Sequence, residues 1–194
     1  MLPNSMKKLV IVLAALLVGN GARAEFSKEF PKVDDTSYAE PNGSRVIRLS
    51  IDIAASADDI WQTLTTTEGW KSYAVSFAAV DMQVGGIIET SYDPKAKVGD
   101  PDNIKNEIVA YVPGKMLAIR CVQAPRNFEN KKEFFATSTV IELERTADKK
   151  THVTLTAPGY RQGDAYDSLY KKFRFGDSYT LEKLRAKFES KPTS

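Results

Sequence analysis

One cysteine, Cys121, and one histidine, His152, occur among 194 residues. A lone cysteine excludes an intrachain disulfide framework and any multi-cysteine zinc site, and a lone histidine excludes multi-histidine metal centres. Charge of one sign is also missing, with 27 Lys and Arg against 25 Asp and Glu. Long hydrophobic runs are absent as well. The run Leu9–Val18 holds ten residues, about 15 Å of helix against a bilayer core of roughly 30 Å. Nine Pro and eleven Gly are too few for a collagen-like or low-complexity chain, and 42% hydrophobic with 27% charged residues is a globular composition. The length bounds the chain at one domain, two at most.

The ten-residue run is informative for its flanks. Lys7 and Lys8 precede it, Gly19 and Gly21 loosen the helix beyond it, and Ala22-Arg23-Ala24 offers the small residues of an A-x-A site. These are the three regions of a secretory signal peptide, so cleavage is expected after Ala24 and the mature protein is expected to be periplasmic or secreted. Translation starts at Met1 or Met6. No cysteine directly follows the run at the expected cleavage site, which excludes a lipoprotein anchor, and no stable membrane attachment is expected after cleavage. Three of the 27 basic residues lie in this leader, leaving 24 against 25 acids and a net charge of −1. The slight basicity of the full chain therefore supports no nucleic-acid partner.

Residues 25–44 are polar and broken by Pro31, Asp34-Asp35 and Pro41-Asn42-Gly43, which reads as an N-terminal arm ending in a turn. Residues 189–194 read as a tail. Between them, Ile47, Leu49, Ile51 and Ile53 alternate with polar residues over 45–53, the period of a half-buried strand. Ser56 then caps a helix with Asp59 as its capping-box partner, and Ala57, Ile60, Trp61 and Leu64 form its apolar face. A second helical turn is expected over 68–73, started by Thr67. Strands come next at 77–84, 87–92, 104–112, 115–122, 137–145 and 151–157, separated by turn residues, a loop at 93–102 and an insertion at 123–135. In the last strand Val153, Leu155 and Ala157 face one way, and His152, Thr154 and Thr156 the other. A long helix closes the chain over 164–188, its stripe built from Tyr166, Leu169, Tyr170, Phe173, Leu181, Leu184 and Phe188. Gly176 inside it costs about 1 kcal/mol against alanine, so a kink or irregular turn is expected there. Short connections favour antiparallel pairing, and the sheet is the helix's only large partner. The expected fold is α+β, a curved antiparallel sheet of about six strands wrapped on one long C-terminal helix.

This order of elements resembles the START-like, SRPBCC superfamily with its helix-grip fold. The segment Ile51-Asp52-Ile53-Ala54-Ala55-Ser56-Ala57-Asp58-Asp59-Ile60-Trp61 looks like the family's opening strand and helix. Gly85-Gly86, the Pro113-Gly114-Lys115 turn, residues 151–157 and Phe175-Gly176-Asp177-Ser178-Tyr179-Thr180-Leu181 fall where its other landmarks fall. The nearest branch resembles the C-terminal domain of the activator of the ninety-kilodalton heat-shock protein ATPase. The resemblance covers residues 45–188. It implies a cavity between sheet and helix, used across the superfamily for lipids, hormones or polyketides, and in some members for cyclase or dehydratase chemistry.

Candidate site residues derive from that cavity. Trp70, Tyr73 and Phe77 come after the first helix, where the family's cavity wall lies, and Tyr92 is expected to add to it from the sheet. Tyr166, Tyr170 and Phe173 line the helix face that meets the sheet, and buried tyrosines need polar partners. Arg120 shares a strand face with Met116, Ala118 and Val122; a cation among apolar neighbours suits a ligand carboxylate or enolate, or else an edge arginine reaching water. Phe128, Phe134 and Phe135 suit a lid over the cavity mouth. No catalytic constellation is expected: His152 has no partner at a readable spacing, Cys121 lies among apolar neighbours, and Glu142 and Glu144 read as a solvated face. No metal site and no cofactor are expected. The reading is an exported binding protein for a small hydrophobic or aromatic ligand. The alternatives are a polyketide-cyclase-like enzyme and a protein-interaction or chaperone-associated module with a surface patch near 128–135.

Overall fold

The computed structural model describes residues 29–146 and 149–189. The expected leader, the tip of the turn at 147–150 and the last five residues lie outside the described residues. Two short strands come first, β1 (Asp34–Asp35) and β2 (Tyr38–Ala39), then β3 (Arg45–Ile53). Two helices follow, α1 (Ala57–Thr65) and α2 (Thr67–Lys71). Six strands come next: β4 (Phe77–Val80), β5 (Ile87–Ser91), β6 (Ile104–Val112), β7 (Met116–Gln123), β8 (Thr139–Arg145) and β9 (Thr151–Tyr160). The short α3 (Lys131–Phe134) interrupts the connection from β7 to β8, and α4 (Asp164–Glu189) ends the fold. The sheet runs β1-β3-β9-β8-β7-β6-β5-β4, with β2 also on β3, and every pairing is antiparallel. This is a mixed α+β architecture with a curved, unclosed sheet and a long C-terminal helix.

Alternation decides which side of the sheet is filled. Ile47, Leu49, Ile51 and Ile53 of β3, Val153 and Leu155 of β9, Ile141 of β8 and Leu117 of β7 all point to one side and are buried. Leu169, Leu181 and Leu184 of α4 and Ile60 and Leu64 of α1 close on them in one core. The opposite side carries Arg48 and Asp52, His152 and Thr156, and Glu142 and Glu144. Ser56 caps α1 as its sequence requires: its hydroxyl accepts from the Asp59 amide at 3.1 Å and donates to the Asp59 carboxylate at 2.7 Å. Thr66, one residue before the expected start, caps α2 by accepting from Gly69 N at 3.0 Å. Gly69 is required there because a Cβ would stand 2.3 Å from the Thr63 carbonyl of the preceding helix.

Several boundaries differ from expectation for local reasons. β4 stops at Val80, since Asp81 opens a turn in which Gln83 N reaches its carbonyl at 3.0 Å. β9 runs on past Ala157 because a register shift opposite Arg45 and Ile47 absorbs Pro158 and Gly159, the latter at φ 103°. Tyr160 then pairs with Arg45. α4 continues through Gly176 as one helix rather than breaking there. The arm adds strands that alternation could not announce, being two residues each. Phe30 and Val33 beside them are buried in the main core, and Asp35 forms an ion pair with Arg174 of α4. The loop after β5 is tied down by Glu89, a buried carboxylate accepting from Gly99 N at 2.8 Å and Asn103 Nδ2 at 2.7 Å.

Candidate functional site

The stripe of α4 points at the sheet, and its aromatic members are only half-buried although they pack on the core. Tyr170 meets Tyr160 of β9 edge-on, ring centroids 5.5 Å apart, and carries the Arg45 guanidinium 4.4 Å above its ring. Arg45 also forms an ion pair with Asp167, one turn back on the helix. Phe173 stacks on Phe134 at 4.5 Å and lies 6.3 Å from Phe128. The insertion is therefore fastened to the helix by an aromatic cluster. Tyr166 packs against the same core.

A second aromatic group stands after α1. Trp70 donates its indole N–H to the Leu64 carbonyl at 2.8 Å and stacks on Tyr73 at 5.8 Å. Burial pushes the Tyr73 phenol well above its ordinary pKa, and Tyr92 nearby adds to the shift. Trp70 and Tyr73 face the same core as the α4 stripe.

Three expected residues do not join them. Tyr92 is 72% exposed, because it follows the last paired residue of β5 and enters the loop. Phe77 pairs with Ser91 and so lies on the opposite face of β4 from Ala78 and Val80, the latter packed on the core. Arg120 is exposed on the outer face of β7, paired with Glu107 at 2.7 Å across the strand. Its apolar face-mates Met116, Ala118 and Val122 are themselves on that outer side, since Leu117, Ile119 and Cys121 take the inner one. Cys121 is a core residue, and burial pushes its thiol up to about 12.

The structure adds residues that strand and helix patterns did not single out. Asp177 follows Phe173 by four and precedes Leu181 by four, so it occupies the apolar stripe itself. Burial raises its carboxyl to about 7, and the Tyr160 phenol is raised chiefly by its own burial and then by the Asp177 charge. The gap in the stripe between Phe173 and Leu181 was the available signal. On the outer face, His152 Nδ1 lies 2.7 Å from Asp52 Oδ1, a partner one hundred residues away in sequence but directly opposite in the β3–β9 ladder. His152 also borders an open groove of about 690 Å³ with Arg48, Lys115, Glu142 and Glu144. No group of three or more metal-ligating side chains is found among the described residues.

The long helix gripped by a curved sheet, opened by a strand and two short helices, is the arrangement of the START-like superfamily. Residues 54–189 match the model of a family described as activator of Hsp90 ATPase homolog 1-like protein. The chain belongs to that family. Among solved structures, the Aha1 dimer of Colwellia psychrerythraea is similar at 20% identity and a TM-score of 0.59, covering 75% of this chain and 96% of that one. Protein MLL2253 of Mesorhizobium loti shares 18% identity at a TM-score of 0.61, covering 76% and 99%. CalU16 of Micromonospora echinospora shares 16% at 0.57, covering 81% and 87%. At these identities the likeness speaks for the fold alone. No curated protein matches the chain.

Proposed function

We propose that this family member is an exported binding protein for a small apolar or aromatic molecule, held between the sheet and α4. One observation carries the reading: large aromatic side chains from α2 and α4 pack against the core yet remain half-accessible. Walls of that kind supply affinity by burial, and a few polar groups supply orientation. Trp70, Tyr73, Tyr166, Tyr170 and Phe173 are the wall, and the tyrosine hydroxyls and Asp177 are the polar groups. Arg120, Phe77 and Tyr92 are outside it. Export rests on the leader pattern of residues 1–24.

Native mass spectrometry of protein purified from its own compartment, followed by organic extraction, tests the proposal. The expected result is a stoichiometric extra mass that extracts as a small organic molecule. A clean mass of the bare chain, recovered under conditions that preserve noncovalent complexes, counts against it. An N-terminus at Glu25 in the same spectrum is expected, and an uncleaved leader would refute the export half. A cyclase- or dehydratase-like activity is the second reading. It is favoured only by the tyrosines and Asp177 at the same interface, because Arg120 does not reach it.

A further inference from the structure

We propose that the outer face of α4 docks the protein reversibly on an anionic lipid bilayer, with Phe175 and Tyr179 entering the headgroup layer and Lys171, Lys172 and Lys183 meeting lipid phosphates. This contact is separate from the interior site and does not depend on its ligand. One side of α4 is packed on the sheet, and the other is bare. Phe175 is 49% exposed and Tyr179 52%, one helical turn apart. Phe175 is the only exposed phenylalanine among the described residues. Its ring is held edge-on by Phe30, centroids 5.1 Å apart, which fixes its direction and leaves half of it uncovered. A lysine stands one turn from this aromatic pair at each end. Lys171 and Lys172 precede Phe175 by four and three residues, and Lys183 follows Tyr179 by four. The stripe from 172 to 183 is about 16 Å long.

Charge selects the occupant. From 165 to 188 the exposed charged residues of α4 are these three lysines alone. The carboxylates of the helix are turned away or already matched. Asp167 pairs with Arg45, Glu182 and Glu189 pair with Arg185, and Asp177 is half-buried on the opposite side of the helix. None of the three lysines pairs with a carboxylate among the described residues. Lys183 Nζ lies 5.4 Å from the Tyr179 ring, and Lys172 Nζ 4.7 Å from that of Phe128. Their stems thus cover aromatic surface while the ammonium ends stay exposed, the habit of lysine at a membrane interface. A second copy on the same stripe would set lysine against lysine in either orientation, so an anionic surface fits and a like one does not. Tyrosine and phenylalanine suit the headgroup level, where one end of the ring is wet and the other apolar. Among the described residues no helix is long and apolar enough to cross a membrane, so α4 lies on the bilayer rather than in it.

The test is flotation of protein purified from its own compartment with two kinds of vesicle, phosphatidylcholine alone and an equal mixture of phosphatidylcholine and phosphatidylglycerol. Partitioning onto the mixed vesicles is expected to exceed that onto the neutral ones by at least about tenfold and to fall as salt is raised. Replacing Lys172 and Lys183 together by alanine should lower it roughly twentyfold, about fivefold for each lysine. Tyr179→Ser should lower it several-fold on its own, and Lys95→Ala, in the loop after β5, should leave it unchanged. All variants share one N-terminus, so the leader region cancels from these ratios, and near-ultraviolet circular dichroism verifies each fold. Equal partitioning onto both vesicles, no partitioning, or partitioning that survives the double substitution overturns the proposal. Sedimentation equilibrium of the same proteins supplies the rival outcome: a dimer that Tyr179→Ser dissociates would make the stripe a contact between copies and also overturn it.

Discussion

Asp177 shows how a single side chain can set the pH response of a fold. Its carboxyl ionises near 7 in the folded protein instead of at 3.8, so the unfolded chain gives up this proton at lower pH than the folded one. The penalty is absent below the unfolded value, grows as pH rises through the window, and is complete above about 7. Tyr160 is a titratable group beside it, and burial keeps that phenol neutral across the window. Thermal melts should therefore show the wild type losing stability between about pH 4 and 7 relative to Asp177→Asn, by a few kcal/mol at most. Parallel pH profiles for the two proteins would refute this. A second residue-level expectation concerns Glu89. Glu89→Ala leaves Asn103 Nδ2 and Gly99 N without their buried acceptor. It should cost about 2–3 kcal/mol in urea unfolding, and a loss under about 0.5 kcal/mol would mean that water replaces the carboxylate.

At the scale of elements, α4 carries a removable weakness. Gly176 is helical, and a Cβ there would meet nothing within 4 Å. Gly176→Ala should raise stability by about 0.5–1 kcal/mol, read as an upward shift of the denaturation midpoint with unchanged slope. An unchanged or lowered midpoint would mean that the glycine serves a bend or a motion. The helix also shows what periodicity can and cannot reveal. Its extent and stripe were legible from Tyr166 to Phe188, and so was the Ser56–Asp59 cap of α1. The strand faces were legible wherever one side is apolar, as in β3 and β9. Arg120 shows the limit: period two groups residues onto a face but does not say which face is inside. Its neighbours Met116, Ala118 and Val122 are apolar enough to mislead, and only the burial of Leu117 and Ile119 resolves the choice. The Asp52–His152 pair was illegible for a different reason, since register between strands a hundred residues apart is a property of the whole sheet.

Over the whole molecule, the topology was legible because hydrophobic alternation, turn residues and one amphipathic helix all pointed to the same architecture. The strands of the arm were not, because two-residue pairings have no period. Their neighbours are nonetheless core residues, and Arg174→Ala would test how firmly they are held. The substitution strands Asp35, whose side chain is 5% exposed and whose remaining described acceptor bond is to Ser37 N at 3.0 Å. A loss of about 3 kcal/mol is expected in chemical denaturation. A change within experimental error would show that the arm is dispensable. This same pairing joins Asp35, at the start of the described chain, to a helix at its end, while Phe30 of the arm meets Phe175 with ring centroids 5.1 Å apart. Ends tied in this way give the fold contacts of nearly maximal sequence separation, which are the slowest to form. A chain that emerges N-terminus first must keep Phe30 and Val33 uncovered until its final helix has emerged. For that interval it is a natural client for whatever factor shields apolar segments along its route.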